Sequence, residues 1–103
     1  MLKVVMYRVK PEKEQRLREW LLELTQRRHE VRETFIEETV RHEQAYLITT
    51  SEGPILIYAI EAEDLERGQN AFLNSTHPID LEHKQVMQEV LIEPVSAELL
   101  YDC

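Results

Sequence analysis

The chain has 103 residues, of which 43% are hydrophobic and 31% charged, with 12 basic against 20 acidic side chains and a net charge of −8. That length suits one domain and not two, and roughly two thirds of the unfolded surface can be buried at this size, so one core needs no disulfide or structural metal. The acidic balance repels phosphate backbones and anionic lipid, and no apolar run approaches the ~20 residues of a membrane span. Neither nucleic acid nor membrane is therefore an expected partner, and a cytoplasmic location follows by default.

Leu2 to Val9 is β-branched or aromatic at most positions and reads as a strand. Pro11, Glu12 and Glu14 then suit a helix N-terminus. Leu17, Trp20, Leu21, Leu24, Val31 and Phe35 recur at spacings of three, four or seven, which predicts one long helix ending near Glu38. Val40 to Thr50 changes period and reads as a second strand. Ser51-Glu52-Gly53-Pro54 is turn chemistry, and Ile55 to Ile60 is the most strand-like segment of the chain. So short a link predicts an antiparallel hairpin. Leu65, Gly68 and Phe72 point to a short helix over 64–74. Ile79, His83, Val86, Met87 and Val90 share one face of a further helix, which Pro94 is expected to end before a last strand over Val95 to Tyr101.

The resulting order is β-α-β-β-α-β, an α+β, ferredoxin-like arrangement of four antiparallel strands with helices on one face. In Val4-Val5-Met6-Tyr7 and in Ile55 to Ile60, apolar side chains fall on both sides of the pleat. Helices can cover only one side. A second copy is the economical cover for the other, so the expectation is a homodimer through the open sheet face, a dimeric α/β barrel.

The densest chemistry lies in Ser75-Thr76-His77-Pro78-Ile79-Asp80-Leu81-Glu82-His83, which holds two of the four histidines. Pro78 restricts His77 to an extended conformation and suits the first turn of a helix. Asp80 is a candidate N-cap, with its carboxylate accepting the backbone N–H of Glu82 or His83. His83 would then stand in the first turn, where the dipole lowers its pKa, and it shares a face with Val86, Met87 and Val90. A polar ring on an apolar face needs a buried partner. Either His42 or Glu43 of the second strand points at the helices, not both, and Glu43 there would make an acid–base couple with His83. A carboxylate partner would raise the histidine pKa against the dipole. The bland alternative is a core histidine bonded to a backbone or tyrosine group.

His77, Asp80 and His83 have ligand-type side chains, with Glu43 as a fourth, but their spacing matches no known zinc pattern. With only Gly53 and Gly68, the chain has no glycine-rich phosphate loop, and no serine lies in a nucleophile elbow. No cofactor is expected. Cys103 has no disulfide partner, and at the last position it cannot hold a nucleophile in register with a base. Trp20 and the tyrosines read as core, with Tyr7 and Tyr58 the two placed to line a pocket.

The opening strand, the Pro-initiated helix, the acid early in the second strand and the Ile79-Asp80-x-x-His83 element resemble a bacterial family of uncharacterised proteins of similar length. The resemblance covers nearly the whole chain and implies a ferredoxin-like fold of the dimeric α/β-barrel type, with Glu43, Asp80 and His83 at its polar positions. More distantly, the architecture is similar to cofactor-independent monooxygenases and haem-degrading enzymes, which bind hydrophobic substrates between sheet and helices. That likeness rests on fold alone, and fold does not fix function. The leading expectation is a small organic ligand in a sheet–helix pocket, with His83 and Glu43 as acid–base groups and Asp80, His77, Tyr58 and Tyr7 as ligand contacts. The alternatives are a non-enzymatic interaction or regulatory module in which these residues only cap and pack, and a metal-binding protein.

Overall fold

A computed structural model describes residues 1–103. Strand β1 (Leu2–Val9) leads through one turn of 3-10 helix at Pro11–Lys13 into α1 (Glu14–Gln26) and α2 (Arg28–Glu38). Strands β2 (Val40–Thr50) and β3 (Gly53–Ala62) follow, then α3 (Leu65–Leu73), α4 (Pro78–Val90) and β4 (Leu91–Val95). The strands form one antiparallel sheet in the order β2-β3-β1-β4, an order compatible with a ferredoxin-like fold. No helix is long and apolar enough to cross a membrane.

The core is a cluster of Val9, Leu17, Trp20, Leu56, Tyr58, Ile79, Val86 and Val90, contributed by β1, α1, β3 and α4. Alternation along the strands puts Leu56 and Tyr58 on the helix side of β3 and leaves Leu2, Val4, Tyr46 and Ile48 exposed on the other. Helices therefore cover one face only.

Three boundaries differ from the sequence expectation. The long helix breaks at Arg27, whose φ of −100° and ψ of 31° leave the helical region. The break falls in the polar run between Leu24 and Val31, where no apolar side chain holds the helix to the sheet. Beyond it, α2 buries Thr34 and leaves Ile36 exposed. Helix α4 starts at Pro78 with His77 at the cap position, so Asp80 is its third residue and not the N-cap. Proline at the first helical position fixes the start three residues earlier than a capping aspartate would.

The last strand is Leu91–Val95 and not Val95 to Tyr101. Pro94 does not end the helix; it sits on edge strand β4, which tolerates a missing N–H. Residues 96–103 have no regular structure, and Leu99, Leu100 and Tyr101 are exposed.

Candidate functional site: a carboxylate corner beside a buried histidine

Register decides which side chains of β2 look at the helices. Glu43 pairs with Ile60, Ala45 with Tyr58 and Leu47 with Leu56. Cross-strand partners share a face, so Glu43 lies on the helix side and His42 on the other. The helices cover β1 and β3 but leave Glu43 and Ala45 on edge strand β2 accessible to solvent. Glu43 and Ala45 therefore stand at the open edge of the sheet, on its helix side.

The chain turn at Thr39 brings a second carboxylate to the same place. Thr39 ends α2 at φ 59°, ψ 19°, a left-handed conformation unusual for a β-branched residue. Its hydroxyl donates to the Asp64 carbonyl and accepts the Asp64 N–H, both at 3.0 Å, and its carbonyl accepts the Glu63 N–H at 2.9 Å. These bonds pin the end of α2, and with it Glu38, against the start of α3. Gly68 of α3 completes the clamp, because a Cβ there would lie 2.5 Å from the Glu38 carbonyl oxygen.

Asp80 arrives from the first turn of α4. It is only 7% exposed, and its Oδ2 has no hydrogen-bond partner. Burial, and then the charge of Asp80, pushes the Glu43 carboxyl up to about 7 although the group remains reachable by water. Burial likewise pushes Glu38 up to about 7, with Asp80 and Glu43 adding to it. Three carboxylates thus share one corner of the fold.

Beneath them His83 is packed among aromatic rings. Trp20 Nε1–H donates to its Nδ1 at 2.8 Å, and its Nε2 lies 3.1 Å from the Tyr58 hydroxyl. Indole is a donor only, so Nδ1 holds the lone pair and the proton of the neutral ring is on Nε2, donated to Tyr58. The Tyr58 hydroxyl in turn faces Met87 Sδ at 3.7 Å. The rings of Trp20, Tyr58 and Phe72 surround the imidazole at centroid distances of 6.0, 6.1 and 5.8 Å. Burial brings the His83 pKa down to about 4, and burial, Glu43 and Tyr7 all push the Tyr58 hydroxyl up. Both groups are neutral at pH 7.

The expected Glu43–His83 couple does not form, since Trp20 and Tyr58 occupy both ring nitrogens. The expected cap does not form either, because Asp80 turns its carboxylate to the interior. His77 stands at the rim with its Nε2 3.4 Å from Glu37 Oε1. Tyr7 is on the helix side of β1, packed on the core and close enough to act on Tyr58. No group of three His, Cys, Asp or Glu side chains is arranged to hold a metal ion. An open, polar surface cleft lies between the end of α2 and α3, with Glu37, Asp64 and Arg67 among its walls. Trp20 lies in the core as expected, but its bond to His83 and the place of Glu38 at this corner escaped the sequence reading. Glu38 carried no signal beyond its place at a helix end, whereas Trp20 and His83 both sat on apolar stripes and were a legible pair.

Fold and site together define a small α+β domain with three carboxylates gathered near the open sheet edge, beside a buried histidine. A model described as a family of unknown function, DUF6176, matches residues 1–103, and the chain belongs to that family. No curated protein and no solved structure matches it.

Proposed function

We propose that this ferredoxin-like chain works as a homodimeric α/β barrel that binds a small organic molecule at the carboxylate corner between β2 and helices α2 and α4. Glu43 is the group that exchanges a proton with the ligand, and Asp80 and Tyr58 are its polar contacts. His77 forms the rim, and Tyr7 backs Tyr58. His83 has a positioning role in this reading. Its lone pair is bound by Trp20, and accepting a further proton would break that bond, so it orients the Tyr58 hydroxyl instead of acting as the base.

One observation carries the proposal, the buried Asp80 Oδ2 that finds no donor in the protein. Buried polar atoms are nearly always paired, and an unpaired one beside accessible Glu43 marks a place where something else supplies the donor. Screening fragments by NMR on the whole chain tests it. Hits should shift the backbone amides around Glu43, Tyr58 and Asp80. Hits confined to other surfaces, or none, would sink the reading.

The interaction-module alternative draws on a different observation. Leu99, Leu100 and Tyr101 form an exposed apolar segment beyond β4, with Leu100 83% exposed. Under that reading, truncation before Leu99 abolishes the chain's binding activity, while Glu43→Gln leaves it unchanged.

A further inference from the structure

We infer that residues 96–103 of one copy lie along the free edge of β2 in a second copy, beside Arg41 to Ala45, and so wall the open edge where Glu43 stands. The inference rests on the homodimer of the preceding reading and gives that dimer a contact beyond its sheet faces.

The segment has no seat on its own chain. All eight residues are exposed, Leu99, Leu100 and Tyr101 by 77, 83 and 79%. No backbone hydrogen bond of a turn, loop or cap reaches it. The nearest open edge is Leu2–Val5 of its own β1, because β4 pairs only within Met6–Val9. Continuing the β4 register would lead the segment there, yet the chain leaves the sheet after Val95.

Strand β2 offers a longer seat. It is an edge strand of eleven residues whose outer side pairs with nothing. Long edges are templates for a further strand unless lysine, proline or a covering loop guards them. Between His42 and Thr50 there is neither lysine nor proline. The opposite edge, β4, is short and carries Pro94.

Register decides where the segment lands. Tyr46 pairs with Ile57, Ile57 with Met6, and Met6 with Val95, so the root of the segment is level with Tyr46. With β3 and β1 between them, β4 runs antiparallel to β2, which directs the segment toward the Arg41 end of that strand. In a face-to-face dimer with its two-fold axis along the strands, β4 of each copy stands over β2 of the other, and the two sheets close into a barrel. The other in-plane axis would set β2 over β2 and leave both long edges unguarded. Stacked sheets lie about 10 Å apart and an extended residue spans ~3.3 Å. Ser96-Ala97-Glu98 therefore crosses the gap, and the residues from Leu99 on reach the stretch from Ala45 to Arg41. The Arg41 side chain is exposed and its ion pair with Glu63 is 4.0 Å long, so the guanidinium can meet Asp102. The Glu43 side chain faces the helices and not the dimer face, so the segment meets the site only at the strand edge. There its apolar side chains replace water.

Cys103 is the single cysteine and can carry a nitroxide without any change of sequence. A nitroxide-bearing chain is refolded together with an isotope-labelled Cys103→Ser chain, so that broadening reports contacts between copies alone. Amides from Arg41 to Ala45 should broaden. Removing residues 96–103 should weaken the dimer about tenfold or more, since three large apolar side chains lose their cover. A native dimer without that broadening, or a shortened chain that dimerises as tightly, overturns the inference and leaves the face-to-face dimer standing. A native monomer ends both. Broadening of Leu2–Val5, seen only when nitroxide and isotope share one chain, puts the segment on its own β1 and overturns it as well. The fragment screen around Glu43 decides the small-molecule site independently.

Discussion

His83 shows how a residue with catalytic chemistry can be committed to structure. The native ring refuses a proton down to about pH 4, whereas in the unfolded chain it accepts one near 6.5. Between those values the unfolded state binds more protons, so stability is fully present above 6.5 and falls as pH drops through the window, by about 3 kcal/mol in all. Urea denaturation from pH 7 to pH 4 should show that loss as the difference between the native chain and His83→Gln, in which Glu38 and Glu43 still titrate, and nitrogen NMR should find Nδ1 unprotonated and Nε2 protonated at pH 5.5. Trp20→Phe leaves Nδ1 buried without its donor, and should cost ~1–3 kcal/mol at pH 7. Glu43 has the opposite sign. Its native pKa of about 7 lies above the ordinary carboxylate value, so its contribution weakens stability as pH rises from 4.5 through 7. Glu43→Gln should therefore stabilise the chain at pH 8, by about 0.5 kcal/mol or ~2–4 °C in Tm, and change little at pH 5.

The first three strands, the hairpin and the α3 and α4 helices were legible because each rests on a local signal: alternation, turn residues between Thr50 and Gly53, or a three-and-four apolar spacing. Where the reading failed, the deciding interaction was distant. Nothing near Arg27 marks a helix break, since no proline or glycine occurs there. Its guanidinium is bonded to Glu23 and Glu30 on either side of the break and to Glu82 of α4 at 2.7 Å, a contact 55 residues away. The start of β4 at Leu91 was hidden because Leu91 and Ile92 continue the apolar character of α4. The inward side of Glu43 could be narrowed to one of two phases by alternation, and only the register against β3 chose between them. Gly68 looked like an ordinary helix glycine, yet it is where α3 meets the end of α2. Gly68→Ala gains about 1 kcal/mol of helix propensity, but its Cβ would meet a backbone oxygen that cannot rotate away. Overpacking of this kind costs ~1–3 kcal/mol, and against backbone the upper end applies. A net loss of about 1–2 kcal/mol in urea denaturation is expected, together with shifted amides at Glu38 and Thr39, because the clamp that places Glu38 must move.

A single copy is a slab of 37 × 36 × 21 Å in which only 13 of 103 residues are buried. The thin dimension is that of one sheet and one layer of helices. The face without helices carries Leu2, Val4, Tyr46 and Ile48, and water is a poor neighbour for it. Stacking two slabs through that face would bring the short dimension close to the other two and bury the apolar row twice over, in an isologous contact. Glu43 lies on the opposite, helix side, so the proposed dimer and the proposed ligand site would use separate faces. Net charge opposes the association: each copy carries −8, and the repulsion between copies is screened by salt. A dimer held by apolar area should therefore tighten as salt is raised from low to moderate concentration, whereas one held by ion pairs should loosen. Ile48→Lys puts a charge on the outer face of an edge strand, at a site 42% exposed in one copy, so the subunit fold should tolerate it. Light scattering on the eluted protein should find a dimer for the native chain and the 12.3 kDa monomer for the variant, with unchanged circular dichroism. A native chain that elutes as a monomer at every salt concentration would refute the face-to-face dimer and leave the exposed row to another partner.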